Sequence, residues 1–417
     1  MKPYFSRSVP AFAFAFGLLG SSWAGGFDWP QWRGPDRSDV SRETGLLKEW
    51  PSGGPKRVWL CQKAGNGYSG PAIVNGKLFT MGTRDADEIL LALNAETGEE
   101  LWIASIGPVV KFDRGGGRRG TPAVDGDRVY ALGGQGNLIC AGAADGKVIW
   151  RETMQNLGGR TPGWGYSESV LVDGDQVVCT PGGGKGAIAA LDKVTGKLIW
   201  QSKEFTDPAH YASIIVAAHN GHREYIQLTA QHVAGVSAKD GKLLWQSSFP
   251  GRTAVVPTPI FHDGCVYVTA GYGAGCKLVK LRDDNQVSEV YDNKEMKNHH
   301  GGVVLLGDYL YGYSDGVGWL CQDFKTGKEV WSEKKALGKG ALGCADGMLY
   351  CLEEDSGAVV LAEASPKGWK EHGRFKLDPQ TKIRDPQGRV WTHPVISNGK
   401  LYLRDQDLIY CYDVKNG

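Results

Sequence analysis

The stretch AIAALDKVTGKLIW at residues 187–200 recurs in varied form along almost the whole chain, and that recurrence constrains the fold more than any other feature. Residues 188–191 read as a short apolar strand and residues 198–200 as a second. Between them Asp192, Thr195 and Gly196 supply turn chemistry, because glycine takes positive φ freely and the polar side chains hydrogen-bond local backbone. The product is a β-hairpin ending in a large aromatic. An isolated hairpin is marginal in water and cannot bury a tryptophan alone. The chain has to supply partners, and it does so by repetition.

Each unit opens with a short apolar run, turns, and continues as a β-branched or aromatic strand. The turns are Asn75-Gly76, Asp125-Gly126, Asp173-Gly174, Asn220-Gly221, Asp263-Gly264, Asp346-Gly347 and Asn398-Gly399, with Gly307-Asp308 reversed. Such dipeptides favour type I′ hairpins, whose two central residues need positive φ. A glycine-rich loop, a third strand, a second turn and a fourth strand follow. The closing aromatics are Trp59, Trp102, Trp150, Trp200, Trp245, Tyr291, Trp331 and Phe375, spaced 40 to 50 residues apart. Four strands per unit, repeated eight times, predict an all-β, eight-bladed propeller of four-stranded antiparallel blades. Seven blades is the alternative if the divergent Tyr291 or Phe375 unit has merged with a neighbour. The last unit ends at residues 413–417 with its turn but no strand after it. Residues 56–59 are the missing strand, so the N-terminal strand is expected to complete the last blade and remove an open edge.

Glycine, at 60 of 417 residues, is about twice as frequent as usual, which suits a turn-rich β fold. Lys and Arg number 47 against 46 Asp and Glu, and a chain without basic excess is a poor candidate for nucleic-acid binding. Residues 1–24 have the form of a signal peptide: Lys2 and Arg7, an apolar core at 11–20, and small residues ending at Ala24. That core is too short to span a bilayer, and no later stretch looks transmembrane. The mature chain is expected to begin near Gly25 and to be exported to the periplasm or the exterior, as a monomer. Residues 25–55, irregular and carrying Trp29, Trp32 and Trp50, are expected to form a clasp packed on the outside of the propeller at 56–417. The nine cysteines include no Cys-Cys or Cys-x-x-Cys pair, and most fall inside strands, which predicts buried free thiols.

The unit Ala-Leu-Asp-x-x-Thr-Gly-Lys-x-x-Trp, nearly whole at 92–102 and 190–200 and shortened at 145–150, 240–245 and 326–331, resembles the repeat of the pyrroloquinoline-quinone (PQQ)-like propeller family. Two kinds of relative carry that repeat. Quinoprotein alcohol dehydrogenases hold PQQ and calcium at the propeller centre, whereas the propeller lipoprotein of the outer-membrane β-barrel assembly machinery is a cofactor-free scaffold. The dehydrogenases characteristically place a disulfide of adjacent cysteines against the quinone and a carboxylate base beside calcium. This chain has no adjacent cysteines, and no such carboxylate cluster is assignable. The resemblance is specific for fold and weak for function.

In such a propeller the start of each innermost strand and the loop between second and third strands share one face. This gathers Arg118, Arg119, Trp164, Tyr166, His210, Tyr211, His232, His299, His300, Trp391, His393, Arg404 and Asp405 at the channel mouth, with Arg84, Lys185, Tyr272, Asp315 and Glu354 on neighbouring loops. Convergent aromatics, imidazoles and guanidiniums suit a small polar or anionic ligand. Adjacent strand residues point to opposite faces, so the His299-His300 pair is poorly placed to hold one metal ion, and no metal site is expected. A proton-relay role for the pair has no partner that the sequence identifies. The elbow-like sequence at 312–316 is followed by another strand instead of a helix, and the glycine-rich 182–186 lacks a Ser or Thr after its Lys; both read as turns. The expected function is an exported, non-catalytic binding or scaffold propeller for a protein, polymer or small polar ligand. A divergent PQQ-dependent oxidoreductase is the alternative.

Overall fold

The computed structural model describes residues 26–110, 112, 115–283 and 285–417; the expected signal peptide at 1–24 and Arg114, which opens the glycine-rich loop at 114–119, lie outside them. The described residues form strands and turns without a helix, and none provides a helix long and apolar enough to cross a membrane. Eight blades of four antiparallel strands, consecutive in sequence in seven of them, make an eight-bladed propeller. We number the blades 1 to 8 by their first strands: Ala72–Val74, Ala123–Asp125, Leu171–Asp173, Ile215–His219, Ile260–His262, Val303–Leu306, Gly340–Ala345 and Val395–Ser397. These strands are inner, whereas fourth strands such as Glu100–Pro108 alternate exposed and covered residues. Blade 8 takes its outer strand from Arg57–Cys61, paired antiparallel with Leu408–Asp413, so the ring closes as the sequence predicts.

The repeat is explained by how blades touch. A β-carbon added at Gly98, Gly146, Gly196 or Gly241 would meet Trp59, Trp102, Trp150 or Trp200 at 2.3–2.7 Å. The closing tryptophan of one blade thus lies flat on the turn glycine of the next. Trp59, Trp102 and Trp150 also donate their indole N–H to the carbonyls of Ala95, Ala143 and Lys193 in that next blade. Tyr291 repeats the contact on Gly327 and donates to the carbonyl of Phe324. The glycine is required twice over, for its positive φ and for the absent side chain. Trp245 departs from the scheme and donates to Glu224 of its own blade.

Two details differ from expectation. Asn75, Asn220, Asp263, Asp346 and Asn398 share positive φ with the glycines that follow them, as type I′ turns require. In blades 2 and 3, however, Asp125 pairs with Arg128 and Asp173 with Gln176. There the two-residue loops are Gly126-Asp127 and Gly174-Asp175, with glycine first, as type II′ prefers. The second difference is larger. Of the segment expected to wrap the outside, residues 29–43 run through the centre instead, whereas Trp50 does pack on an outer strand, where its backbone N–H donates to the carbonyl of His372 and its ring meets Phe375. Trp29 exchanges backbone hydrogen bonds with Ile73 of blade 1, and Val124 of blade 2 donates to Pro30. Arg37 donates to the carbonyls of Val170 and Ile214, which lead into blades 3 and 4. Trp32 donates to Thr258 before blade 5, and Arg33 to Val303 of blade 6. Val40–Ser41 adds a short parallel strand to blade 7, and Glu43 accepts from Gly399 of blade 8. Only the propeller axis adjoins all eight inner strands. The segment fills the channel because the orphan carbonyls there need donors that the inner strands lack, and Arg33 and Arg37 provide them. Arg33, Arg37 and Asp39 adopt positive φ to do so.

Candidate functional site

The connectors between blades, together with the second-to-third-strand loops, build a cup of about 210 Å³ at the mouth. Its floor is Trp32 of the channel segment with His393, their ring centroids 4.6 Å apart. Around the wall runs a belt of rings in contact: Tyr68 with Trp391 at 4.8 Å, Trp391 with His300 at 5.8 Å, His300 with His299 at 4.8 Å and His299 with Tyr272 at 4.7 Å. Opposite, Trp164 stacks on Tyr211 at 5.7 Å with planes inclined by 29°. Arg119 joins the two arcs: its guanidinium lies 5.3 Å over the Tyr68 ring and donates to the carbonyl of Trp164. Ser167, Ser169, Ser213, Ala254, Val256 and Gln387 complete the lining.

Seven of the thirteen predicted mouth residues therefore line one cup: Arg119, Trp164, Tyr211, His299, His300, Trp391 and His393. The other six do not, and each has a physical reason. Arg118 is buried in an ion pair with Glu88 at 2.7 Å, since alternation along an extended backbone turns it away from its neighbour Arg119. Tyr166 sits in the core and donates to the carbonyl of Pro181. His210 accepts from the Val255 N–H and packs at 4.5 Å on Tyr211, supporting the wall from behind. His232 pairs with Asp207 at 2.9 Å on a blade 4 loop. Arg404, fully buried, donates to Gln406, Ser69, Thr80, Met81 and Gly65, and so ties blade 8 to blade 1. Asp405 pairs with Arg384 at 2.6 Å in the same seam.

The partner for the histidine pair is Glu354. His300 Nε2 lies 2.6 Å from the Glu354 carboxylate, which also accepts from the Trp391 indole at 3.0 Å. Burial alone would raise the Glu354 carboxyl, but His300, Lys339 and Trp391 together leave it below the ordinary value. His299 accepts at Nδ1 from Lys339 at 2.9 Å, and Lys339 is paired in turn with Asp315 at 2.8 Å. Burial, with His300 and Lys339 nearby, pushes the His299 imidazole down to about 2, so it stays neutral with its proton on Nε2. Burial likewise lowers Arg119, to about 10, which still leaves a full positive charge at neutral pH. No Asp or Glu appears among the described lining residues. Trp32, Tyr68 and the serines were missed by sequence reasoning, because neither an irregular N-terminal segment nor a small hydroxyl advertises its position at the axis.

Comparisons with known proteins follow the fold. The family described as outer membrane protein assembly factor BamB matches residues 86–333. The Yersinia pestis protein of that name is 23% identical over 349 residues, covering 74% of this chain and 81% of its own. The crystal structure of BamB from Moraxella catarrhalis superposes with a TM-score of 0.60 at 15% identity, covering 87% of this chain and 98% of its own. Quinohemoprotein alcohol dehydrogenase from Comamonas testosteroni superposes with a TM-score of 0.66 at 12% identity, covering 94% and 81%. At such identities the two structures carry the fold alone.

Proposed function

We propose, because this chain belongs to the family of the outer membrane protein assembly factor BamB, that it is an exported, non-catalytic binding propeller that works as a scaffold in outer-membrane protein assembly and takes its ligand in the mouth cup. The observation that carries this reading is the construction of the cup. Its walls come from the connectors, where the repeat lapses and the blades differ, and its floor is the channel segment, so it is a terminal pocket. A concave, largely aromatic site with a few convergent polar groups is built to hold a ligand. PQQ with calcium fits this lining poorly. Calcium takes carboxylate and amide oxygens, and the cup offers Gln387 as its one amide and no carboxylate among the described residues. Glu354, just behind the belt, is committed to His300 and Trp391.

Deleting the gene in its host is expected to lower the amount of folded, heat-modifiable β-barrel protein in the outer membrane, with recovery on complementation by the wild type. Unchanged barrels would remove the assembly role. Purified protein given PQQ, calcium and a primary alcohol is expected to leave an electron-accepting dye unreduced; sustained reduction would replace this reading by the oxidoreductase.

A further inference from the structure

We infer, resting on the reading of the cup as a binding site, that it receives one neutral pyranose ring of a glycan. The first reason is size. A space of about 210 Å³ admits a single six-membered ring with its substituents and excludes a helix or a folded loop. The second is shape. The Trp164–Tyr211 stack and the Tyr68–Trp391 pair present flat apolar surfaces on separate arcs of the wall. A pyranose offers C–H faces to such surfaces and directs its hydroxyls outward between them.

The third reason is charge. A cationic ligand would meet no carboxylate among the described lining residues. An anionic ligand would find Arg119 as the one guanidinium among the described lining residues, and its bonds to the carbonyls of Trp164 and Gly115 hold it along the wall over Tyr68. His299 is neutral in its tautomer because Lys339 donates to Nδ1, which leaves Nε2–H as a neutral donor. The Tyr211 hydroxyl accepts from the Trp164 N–H and keeps its own hydrogen to give, and the exposed Gln387 amide can do both. Neutral donors and acceptors between aromatic faces match a polyhydroxylated ring. A hydrocarbon side chain from a polypeptide would leave those groups unpaired, at a cost for each.

The test is calorimetry on the full mature chain with cellohexaose, mannohexaose and N-acetylchitohexaose as neutral probes, and hexagalacturonate as the charged one. At least one neutral hexamer should bind, the charged one should not, and Trp164→Ala and Trp391→Ala should each weaken binding by about ten-fold or more with an unchanged circular dichroism spectrum. The inference falls if no neutral hexamer binds, if hexagalacturonate is preferred, if both variants bind as the wild type does, or if an aromatic peptide from a random library occupies the cup instead. Failure here is separable from failure of the scaffold reading. If no glycan binds but cup variants cannot restore barrel assembly, the sugar is wrong and the scaffold stands; if glycan binds and cup variants restore assembly fully, the reverse holds.

Discussion

His393 links Asp39 to the mouth: its Nδ1 lies 3.1 Å from the Asp39 carboxylate and its Nε2 2.8 Å from the carbonyl of His300. Asp39 is held in turn by Arg33 at 3.1 Å, and Trp32 packs on the His393 ring. One imidazole thus fixes the channel segment, and with it the floor of the cup, to the belt above. Replacing His393 by Ala removes both bonds and the support under Trp32. The expected cost is about 2–3 kcal/mol in urea unfolding, together with faster amide exchange across residues 29–41. A midpoint within about 0.5 kcal/mol of wild type would show that the segment is held without it.

The blade contact predicts a contrast between two glycines. Gly174 has a φ of 57° and open space around it, so Gly174→Ala should cost about 1 kcal/mol, the backbone term alone. Gly241 has a φ of 72°, and an added β-carbon would sit 2.3 Å from Trp200. Gly241→Ala should therefore cost about 2–4 kcal/mol, close to the roughly 3–5 kcal/mol expected for Trp200→Ala. Equal costs for the two glycines would mean that the tryptophan contact carries no energy.

Glu168 is buried between blades, accepts from the Thr180 backbone and hydroxyl at 2.7 and 2.8 Å, and has its pKa raised to about 7 by burial. The folded protein therefore binds this proton more tightly than the unfolded chain does. The neutral form's advantage is complete below the unfolded value of 4.5, and stability declines as pH rises from there through about 7. Glu168→Gln should flatten that decline and stabilise the protein at pH 8 by up to about 3 kcal/mol. Parallel stability profiles for variant and wild type between pH 4.5 and 8 would contradict it.

Arg404 was expected at the ligand face and is instead a seam. Four of its five donated hydrogen bonds reach blade 1 or the connector before it, at Gly65, Ser69, Thr80 and Met81, and the fifth stays in blade 8 at Gln406. Arg404→Met should cost roughly 3 kcal/mol or more, since several buried acceptors lose their donor, and should raise exchange first in blades 1 and 8. Exchange spread evenly over all blades would argue against a local seam.

These cases show what the sequence could reveal. The blades were legible because the closing aromatic, the turn glycine and the strand alternation recur every 40 to 50 residues, and most units make the same contact with the next, Trp245 being the exception. The closing strand was legible because a turn at 413–417 lacked its successor. The channel segment was not, because its order comes from single contacts with eight separate blades and leaves no period. Arg118 and Arg119 were indistinguishable as neighbours, although one meets Glu88 and the other faces the cup. The partner of His300 lay 54 residues away on a loop that the repeat does not mark.

On the proposed scaffold reading, function resides in the mouth cup, away from the repeated blade contacts. The most direct measurement is complementation of the deletion strain with the Trp164→Ala, Tyr211→Ala, Trp391→Ala triple variant, beside an outer-strand control, Ile149→Ala with Ile199→Ala, both exposed. With equal expression and matching circular dichroism, heat-modifiable barrels are expected to return with the control and not with the triple variant. Full recovery with the triple variant would contradict that reading.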